Sequence, residues 1–186
     1  MEKIRAFIAV DIESDEFRTQ ILEIQRKILD IGADIKPVAP ENIHLTLRFL
    51  GEIETALMEK IVDMLKLVEF QSFEIRLKGT GAFPSMKKIN VIWIGLERGQ
   101  EELTGISRSL EPQLRKLGFS QDKKGFSPHV TIARLRSGRN KDAVADLLYE
   151  SKEKSYGSMM AQAIRLKKSV LTPQGPIYST IFEVKS

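Results

Sequence analysis

Apolar and polar positions alternate, or recur at helical spacing, along nearly the whole chain, and the order of these periods predicts the elements. Ile4–Ile12 is rich in β-formers and predicts a first strand. Asp15–Ile31 carries Phe17, Ile21, Ile24, Ile28 and Leu29 at three- and four-residue spacings, an amphipathic helix closed near Gly32. Ala33–Asn42 holds Pro37 and Pro40 and reads as a short extended or looped stretch. Ile43–Leu50 alternates as a strand ended by Gly51, and Thr55–Val68 places Leu57, Ile61, Met64, Leu65 and Val68 on one helical face. Phe73–Leu77 and Val91–Leu96 follow as strands, with a Gly/Pro turn over Gly79–Pro84 between them. Glu101–Leu117 predicts a helix stopped by Gly118, although Gly105 and Pro112 argue against its continuity. After a polar connection, Phe119–Phe126, come a strand over His129–Leu135, a helix over Asn140–Tyr149 and a strand over Ala161–Leu171. A turn at Gly175–Pro176 leads to a last strand, Ile177–Val184.

Strands and helices mix here without regular βαβ alternation, which indicates an α+β fold. Within that order lies an echo. Strand, helix, then a strand bearing His-x-Thr occurs over Ile4–Leu50 and again over Val91–Leu135. No Pro/Gly/Ser-rich linker parts the two, so they read as similar lobes of one domain spanning residues 1–186.

Composition narrows the function. The chain has 186 residues, 42% hydrophobic and 29% charged, which excludes disordered and fibrous classes. Cys is absent, so neither disulfides nor a thiolate zinc site can form. The apolar run after Met1 is too short for a signal peptide, and no stretch approaches a membrane span, so a cytoplasmic address is expected. Net charge is +4, which suits a polyanionic partner without requiring one.

The chemistry lies in the only two histidines, in Ile43-His44-Leu45-Thr46-Leu47 and Pro128-His129-Val130-Thr131-Ile132. Thr occupies 8 of 186 positions, so both histidines finding Thr two residues on has a chance of roughly one in 500. Strand side chains two apart share a face, so each strand buries its aliphatic residues and presents an imidazole and a hydroxyl together. Two such strands around a cleft would converge four polar groups on one small anion. An imidazole pair supplies a base for attacking water and an acid for a departing ribose oxygen near neutral pH. Thr hydroxyls can donate to the phosphate oxygens where charge develops. A zinc site would need a third protein ligand, and no HExxH or acidic cluster offers one. No cofactor or metal is expected.

The first His-x-Thr motif runs on into Leu47-Arg48-Phe49-Leu50-Gly51, and Ser127-Pro128 precedes the second. In these features the chain resembles the 2H phosphoesterase superfamily. Within it the chain is similar to the bacterial and archaeal RNA 2′,3′-cyclic phosphodiesterases, also called 2′-5′ RNA ligases, from Arg5-Ala6-Phe7-Ile8-Ala9 to Gly175-Pro176-Ile177-Tyr178. The resemblance implies two lobes with antiparallel-rich sheets and flanking helices around a central cleft. It also implies opening of an RNA 2′,3′-cyclic phosphate to a 2′-phosphate, with reversible 2′-5′ ligation as the same chemistry run backwards. By the same resemblance His44 maps to the proton donor and His129 to the acceptor, a polarity that the near-symmetric motifs do not themselves fix.

Thr46 and Thr131 are the expected phosphate holders. Arg134 occupies a position where the family has a similar Arg, yet strict alternation puts it opposite His129, so reaching the cleft needs a bulge or a position at its rim. Arg48 falls on the His44 face by alternation. Phe83, Phe126 and Tyr178 are candidate platforms for a base, whereas Trp93 reads as core. Lys87, Lys88, Lys123 and Lys124 form two basic pairs suited to steering phosphates. The expected partner is RNA with a cyclic end, tRNA fragments among the candidates, met by a monomer. The rivals are a small cyclic nucleotide or a 2′-5′ oligonucleotide as substrate, and a module that binds RNA ends without turnover.

Overall fold

A computed structural model describes residues 3–123 and 125–186. Among these residues nine strands join one sheet in the order β7-β4-β5-β6-β3-β1-β8-β9, with β2 pairing β6 off this path. The strands are β1 (Lys3–Asp11), β2 (Ile35–Pro37), β3 (His44–Glu54), β4 (Phe73–Ser85), β5 (Lys88–Arg98), β6 (Val130–Leu135), β7 (Ser155–Ala161), β8 (Ala163–Thr172) and β9 (Gly175–Lys185). The helices are α1 (Asp15–Asp30), α2 (Thr55–Leu65), α3 (Gln100–Lys116) and α4 (Lys141–Glu150).

The echo becomes a topology. β1, α1 and β3 recur as β5, α3 and β6, with β1 antiparallel to β3 and β5 antiparallel to β6. Two further strands extend each half outwards, β8 and β9 on one side, β4 and β7 on the other. β3 and β6 meet at the centre through the pair Leu45↔Val130. The helices do not stay with the half that precedes them in sequence. α1 packs on β7, β2 and β6, and α3 packs on β3 as well as β5, so each half is closed by a helix from the other.

One hydrophobic cluster gathers the apolar phase of the sheet and the inner stripes of the helices. Ile4, Ala6, Ile8 and Val10 of β1 join it together with Ile92 and Ile94 of β5, Phe17, Ile21, Ile24 and Ile28 of α1, and Leu103, Ile106, Leu110 and Leu114 of α3. Each Ile, Leu, Val or Phe among them contributes about 2 kcal/mol relative to leaving it in water. The opposite phase, Phe7, Ala9 and Asp11 on β1 and Val91 and Trp93 on β5, faces the other side of the sheet.

Local chemistry explains where elements begin and continue. Ser14 caps α1 by accepting from the Phe17 amide, and Asp15 and Glu16 complement the positive end of the helix. α3 runs unbroken through Gly105 and Pro112. Pro112 is exposed, while Leu103, Ile106, Leu110 and Leu114 bury the far face. That burial outweighs the roughly 3 kcal/mol cost of an interior proline.

Five features differ from the sequence reading. Gly79–Pro84 is strand, because Gly79 takes φ 73° inside a register shift and the chain turns only at Met86–Lys87. Gly51 does not end β3 but sits at φ 71° beside a bulge that leaves Leu50 unpaired against β1. The strand reading over Ala161–Leu171 misses β7, whose Ser, Gly and Met residues carry little β propensity, and β9 begins at Gly175 rather than after it. His129 stands immediately before β6. Among the described residues no helix is long and apolar enough to cross a membrane.

Candidate active site

Both histidines flank the rung that joins the two halves. With Leu45 opposite Val130 in an antiparallel pair, His44 falls across from Thr131 and Thr46 across from His129. Each imidazole thus neighbours one Thr along its own strand and the other Thr across the seam.

The rings are oriented by their own backbones. His44 Nδ1 lies 2.6 Å from the Asn42 carbonyl, and His129 Nδ1 lies 2.7 Å from the Ser127 carbonyl. A carbonyl only accepts, so each Nδ1 carries the proton and each Nε2 is the nitrogen left for chemistry. His44 Nε2 is 2.9 Å from Thr46 Oγ1. The His129 Nε2 has no hydrogen-bond partner among the described residues. Asn42 in turn donates from Nδ2 to the Pro176 carbonyl at 2.8 Å, tying the residue that orients His44 to the hairpin that carries Tyr178.

Aromatic rings pack both imidazoles. His44 lies 4.9 Å from Phe7 and 5.4 Å from Tyr178, the latter edge-on at 84°. His129 meets Phe83 edge-on, 4.9 Å away at 81°, with Trp93 at 6.4 Å. Burial pushes both imidazoles below their ordinary value of 6.5. For His44 the Asn42 carbonyl and the Asp11 carboxylate oppose that shift, whereas Lys167 and the His129 ring add to it. For His129 the Ser127 carbonyl opposes it and Arg134 adds to it.

A bulge decides the fate of two arginines. In β6, Trp93 pairs with Thr131 and Ile92 with Ala133, which leaves Ile132 as the extra residue. Val38 donates its amide to the Ile132 carbonyl at 2.9 Å, and the buried Gln25 of α1 donates Nε2 to it at 2.8 Å. The bulge turns Ala133 into the core and Arg134 onto the face of Thr131, where its charge reaches both His129 and Tyr178. The same shift occurs in β3, where Ala9 pairs with Thr46, Ile8 with Arg48, and Leu47 is extra. Alternation placed Arg48 beside His44; the bulge instead turns it to the helix side. There it meets Glu111 of α3 at 3.4 Å and Asp122 at 3.8 Å and donates to the Ser120 carbonyl. Phe49 takes the position corresponding to Arg134 and is 66% exposed.

The structure therefore brings His44, His129, Thr46, Thr131, Arg134, Phe83 and Tyr178 to one face and removes Arg48 from it. Phe126 leans on the hydrophobic core instead of joining the rings around His129. Lys87, Lys88 and Lys123 are exposed, and Lys124 lies outside the described residues. Sequence reasoning missed Phe7, and it assigned Trp93 to the core. The available signal was phase: both fall between aliphatic residues that belong to the core, and so on the side opposite it. Asp11, directly across from His44, was also missed. Lys167 Nζ holds both its oxygens at 2.7 and 2.6 Å, and Arg165 approaches it at 3.0 Å. No group of three or more His, Asp or Glu positioned for a metal ion occurs among the described residues.

Comparison with known proteins places this geometry. The family LigT like Phosphoesterase matches residues 10–93 and again residues 94–178, one match for each His-x-Thr motif. A protein of Aeropyrum pernix named RNA 2′,3′-cyclic phosphodiesterase is 41% identical over 90% of this chain and 95% of its own. One of the same name from Archaeoglobus fulgidus is 39% identical over 96% of this chain and 98% of its own. Among solved structures, TT0787 of Thermus thermophilus superposes with a TM-score of 0.81 at 26% identity, covering 98% of this chain and 97% of that one. The duplicated motif and the architecture around it agree with these likenesses: the chain belongs to the LigT-like phosphoesterases.

Proposed function

We propose that the protein hydrolyses 2′,3′-cyclic phosphate ends of RNA to 2′-phosphates, within a single bilobal domain. The observation that carries the reading is the square of His44, Thr46, His129 and Thr131 about the Leu45–Val130 rung, with both Nδ1 atoms engaged by backbone carbonyls. The name shared by the curated relatives supports the substrate.

In this mechanism His129 Nε2 accepts a proton from water as its oxygen attacks phosphorus. The bond from phosphorus to O3′ breaks, and His44 Nε2–H protonates that oxygen, leaving the phosphate on O2′. The two imidazoles end with exchanged protonation, and solvent restores them. Asp11 beside His44 favours an imidazolium there, opposed by burial and by Lys167, while Arg134 beside His129 disfavours one; the assignment of donor to His44 and acceptor to His129 follows the family resemblance. Thr46, Thr131 and Arg134 hold the non-bridging oxygens, where charge concentrates. Run backwards with a ribose hydroxyl in place of water, the same groups form a 2′-5′ linkage. We take the enzyme to act as a monomer in the cytoplasm, on RNA fragments that include those of tRNA.

Turnover of a short RNA ending in a 2′,3′-cyclic phosphate, measured with EDTA present, tests the reading. Wild type should yield a 2′-phosphate, and His44→Ala and His129→Ala should each lose at least about a hundredfold in kcat. A folded wild type that leaves the RNA intact would overturn the substrate. Activity surviving either substitution would overturn the mechanism.

A further inference from the structure

We propose that a basic groove outside the cleft binds the phosphodiester backbone of the RNA strand whose cyclic end lies between the histidines. The inference rests on the RNA reading above and adds a second, separate contact to it. The groove, about 280 Å³, lies between the end of β6, the β4–β5 turn and the start of α4, and its cations are Lys87, Lys88, Arg136 and Lys141.

Three observations converge on a polyanion. The first is lack of compensation. No carboxylate lines the groove, and none of its four cations makes an ion pair among the described residues. On β4 and β5 of the same half, by contrast, Arg76 and Arg98 are matched by Glu74, and Lys78 by Glu97 and Glu153. Unmatched like charges in one concavity repel each other and persist at a cost that a bound anion relieves.

The second is continuity with the cleft. Arg134 and Arg136 are two apart, and although Arg136 follows the last residue of β6, its amide donates to the Asp34 carbonyl at 2.8 Å, carrying the pairing one residue past the ends of β2 and β6. They therefore share the cleft face. Lys36 pairs across from Arg134 and lies on that face too. Arg134, Lys36 and Arg136 thus lie between the histidines and the rest of the groove. At about 3.3 Å per residue, the Cα of Arg136 lies roughly 20 Å along the strand from that of His129. A mononucleotide held by its cyclic phosphate is too short to span that distance; a strand is not.

The third is that one wall is fixed in advance. Arg139 donates from Nε to the Gly32 carbonyl at 2.9 Å, and Asn140 from Nδ2 to the Ile31 carbonyl at 2.8 Å. These bonds pin the segment after β6 to the end of α1, so less ordering cost falls on binding. Lysine and arginine contacts of this kind read the phosphate backbone and not the bases, so the groove confers preference for length, not for sequence.

The experiment compares a short RNA oligomer with a 2′,3′-cyclic mononucleotide, using wild type, a Lys87→Gln/Lys88→Gln variant and an Arg136→Gln/Lys141→Gln variant. In each variant the oligomer's KM should rise about tenfold with kcat unchanged, the mononucleotide's KM should stay constant, and the oligomer's log–log salt slope should become shallower by about 0.7 per lost contact. Equal effects on both substrates, or no effect on the oligomer, would overturn the groove. Should wild type turn over neither substrate, the catalytic reading fails, and the groove is judged by anisotropy of a labelled RNA bearing a terminal 2′-phosphate. Salt-sensitive binding weakened in both variants sustains it; equal binding by all three proteins overturns it.

Discussion

The two halves of the sheet present the same His-x-Thr to the cleft over unlike floors. Beside His44 the first half sets Ala9, with Arg165 across from it, and Asp11 held by Lys167. At the corresponding register beside His129 the second half sets Trp93 over Gly81, with Phe83 against both Trp93 and the imidazole. Any Cβ on Gly81 would collide with the Trp93 ring, so the glycine makes room for the indole. Aromatic rings pack both histidines, Phe7 and Tyr178 against His44 and Phe83 and Trp93 against His129, but only His44 also has a buried charge network beside it. The bulges at Leu47 and Ile132 are shared, yet what they deliver to the cleft also differs: Phe49 on one side, Arg134 on the other. Backbone and the paired His-x-Thr motifs follow the twofold, while the surroundings of each ring depart from it. A symmetric pair cannot tell donor from acceptor, so any distinction within the protein has to arise from these unlike floors.

The charged floor should be the easier to break. Lys167 is almost wholly buried and its ammonium is held by Asp11. Asp11→Ala strands that charge, while Arg165 keeps Glu13 and Glu183. Removing one partner of a buried pair costs about 3–5 kcal/mol, read as a lower midpoint in urea unfolding with the slope unchanged. The aromatic floor should yield less. Trp93→Ala removes a half-buried ring, for which about 2–3 kcal/mol is expected, below the range for a fully buried aromatic. It should also cost about tenfold in kcat by loosening His129, with little effect on KM. A larger stability loss from Trp93→Ala than from Asp11→Ala would reverse the comparison.

The scaffold was legible in the sequence wherever one period ruled a whole segment. α1, with Phe17, Ile21, Ile24 and Ile28 inward, and the His-x-Thr strands, with Leu45 and Val130 inward, follow directly from spacing. The repeated motif likewise foretold that both histidines would share a site. What escaped is what period cannot encode. A bulge shifts the phase of everything after it, and those at Leu47 and Ile132 depend on distant partners, among them Gln25, which lies 107 residues before the carbonyl it satisfies. Arg48 and Arg134 therefore exchanged faces relative to simple alternation. β7 escaped because Ser155–Ala161 owes its pairing to β4 rather than to its own residues. Asp11 escaped because its role depends on Lys167, a residue from the far end of the chain.

The smallest expected effect is also the one that tests the difference between the floors most directly. Burial lowers both imidazoles from 6.5, so the native protein takes up protons less readily than the unfolded chain. Each histidine's contribution is therefore intact above about pH 6.5 and is lost as pH falls through the lowered native value. Replacing either histidine by Gln should flatten the acid-side slope of stability against pH. The floors then predict opposite signs. Asp11→Asn removes a carboxylate that favours protonated His44, so that ring should titrate at still lower pH. Arg134→Gln removes a cation that disfavours protonated His129, so that ring should titrate at higher pH. Neither effect is the leading cause of its shift, so each should be well under one unit, less than about 1.4 kcal/mol. Imidazole NMR titration resolves the two rings separately, and because the chain has only these two histidines, the single-Gln variants assign the signals. Movement of both rings in the same direction would show that the floors do not distinguish them, and the polarity of donor and acceptor would then have to come from the bound substrate.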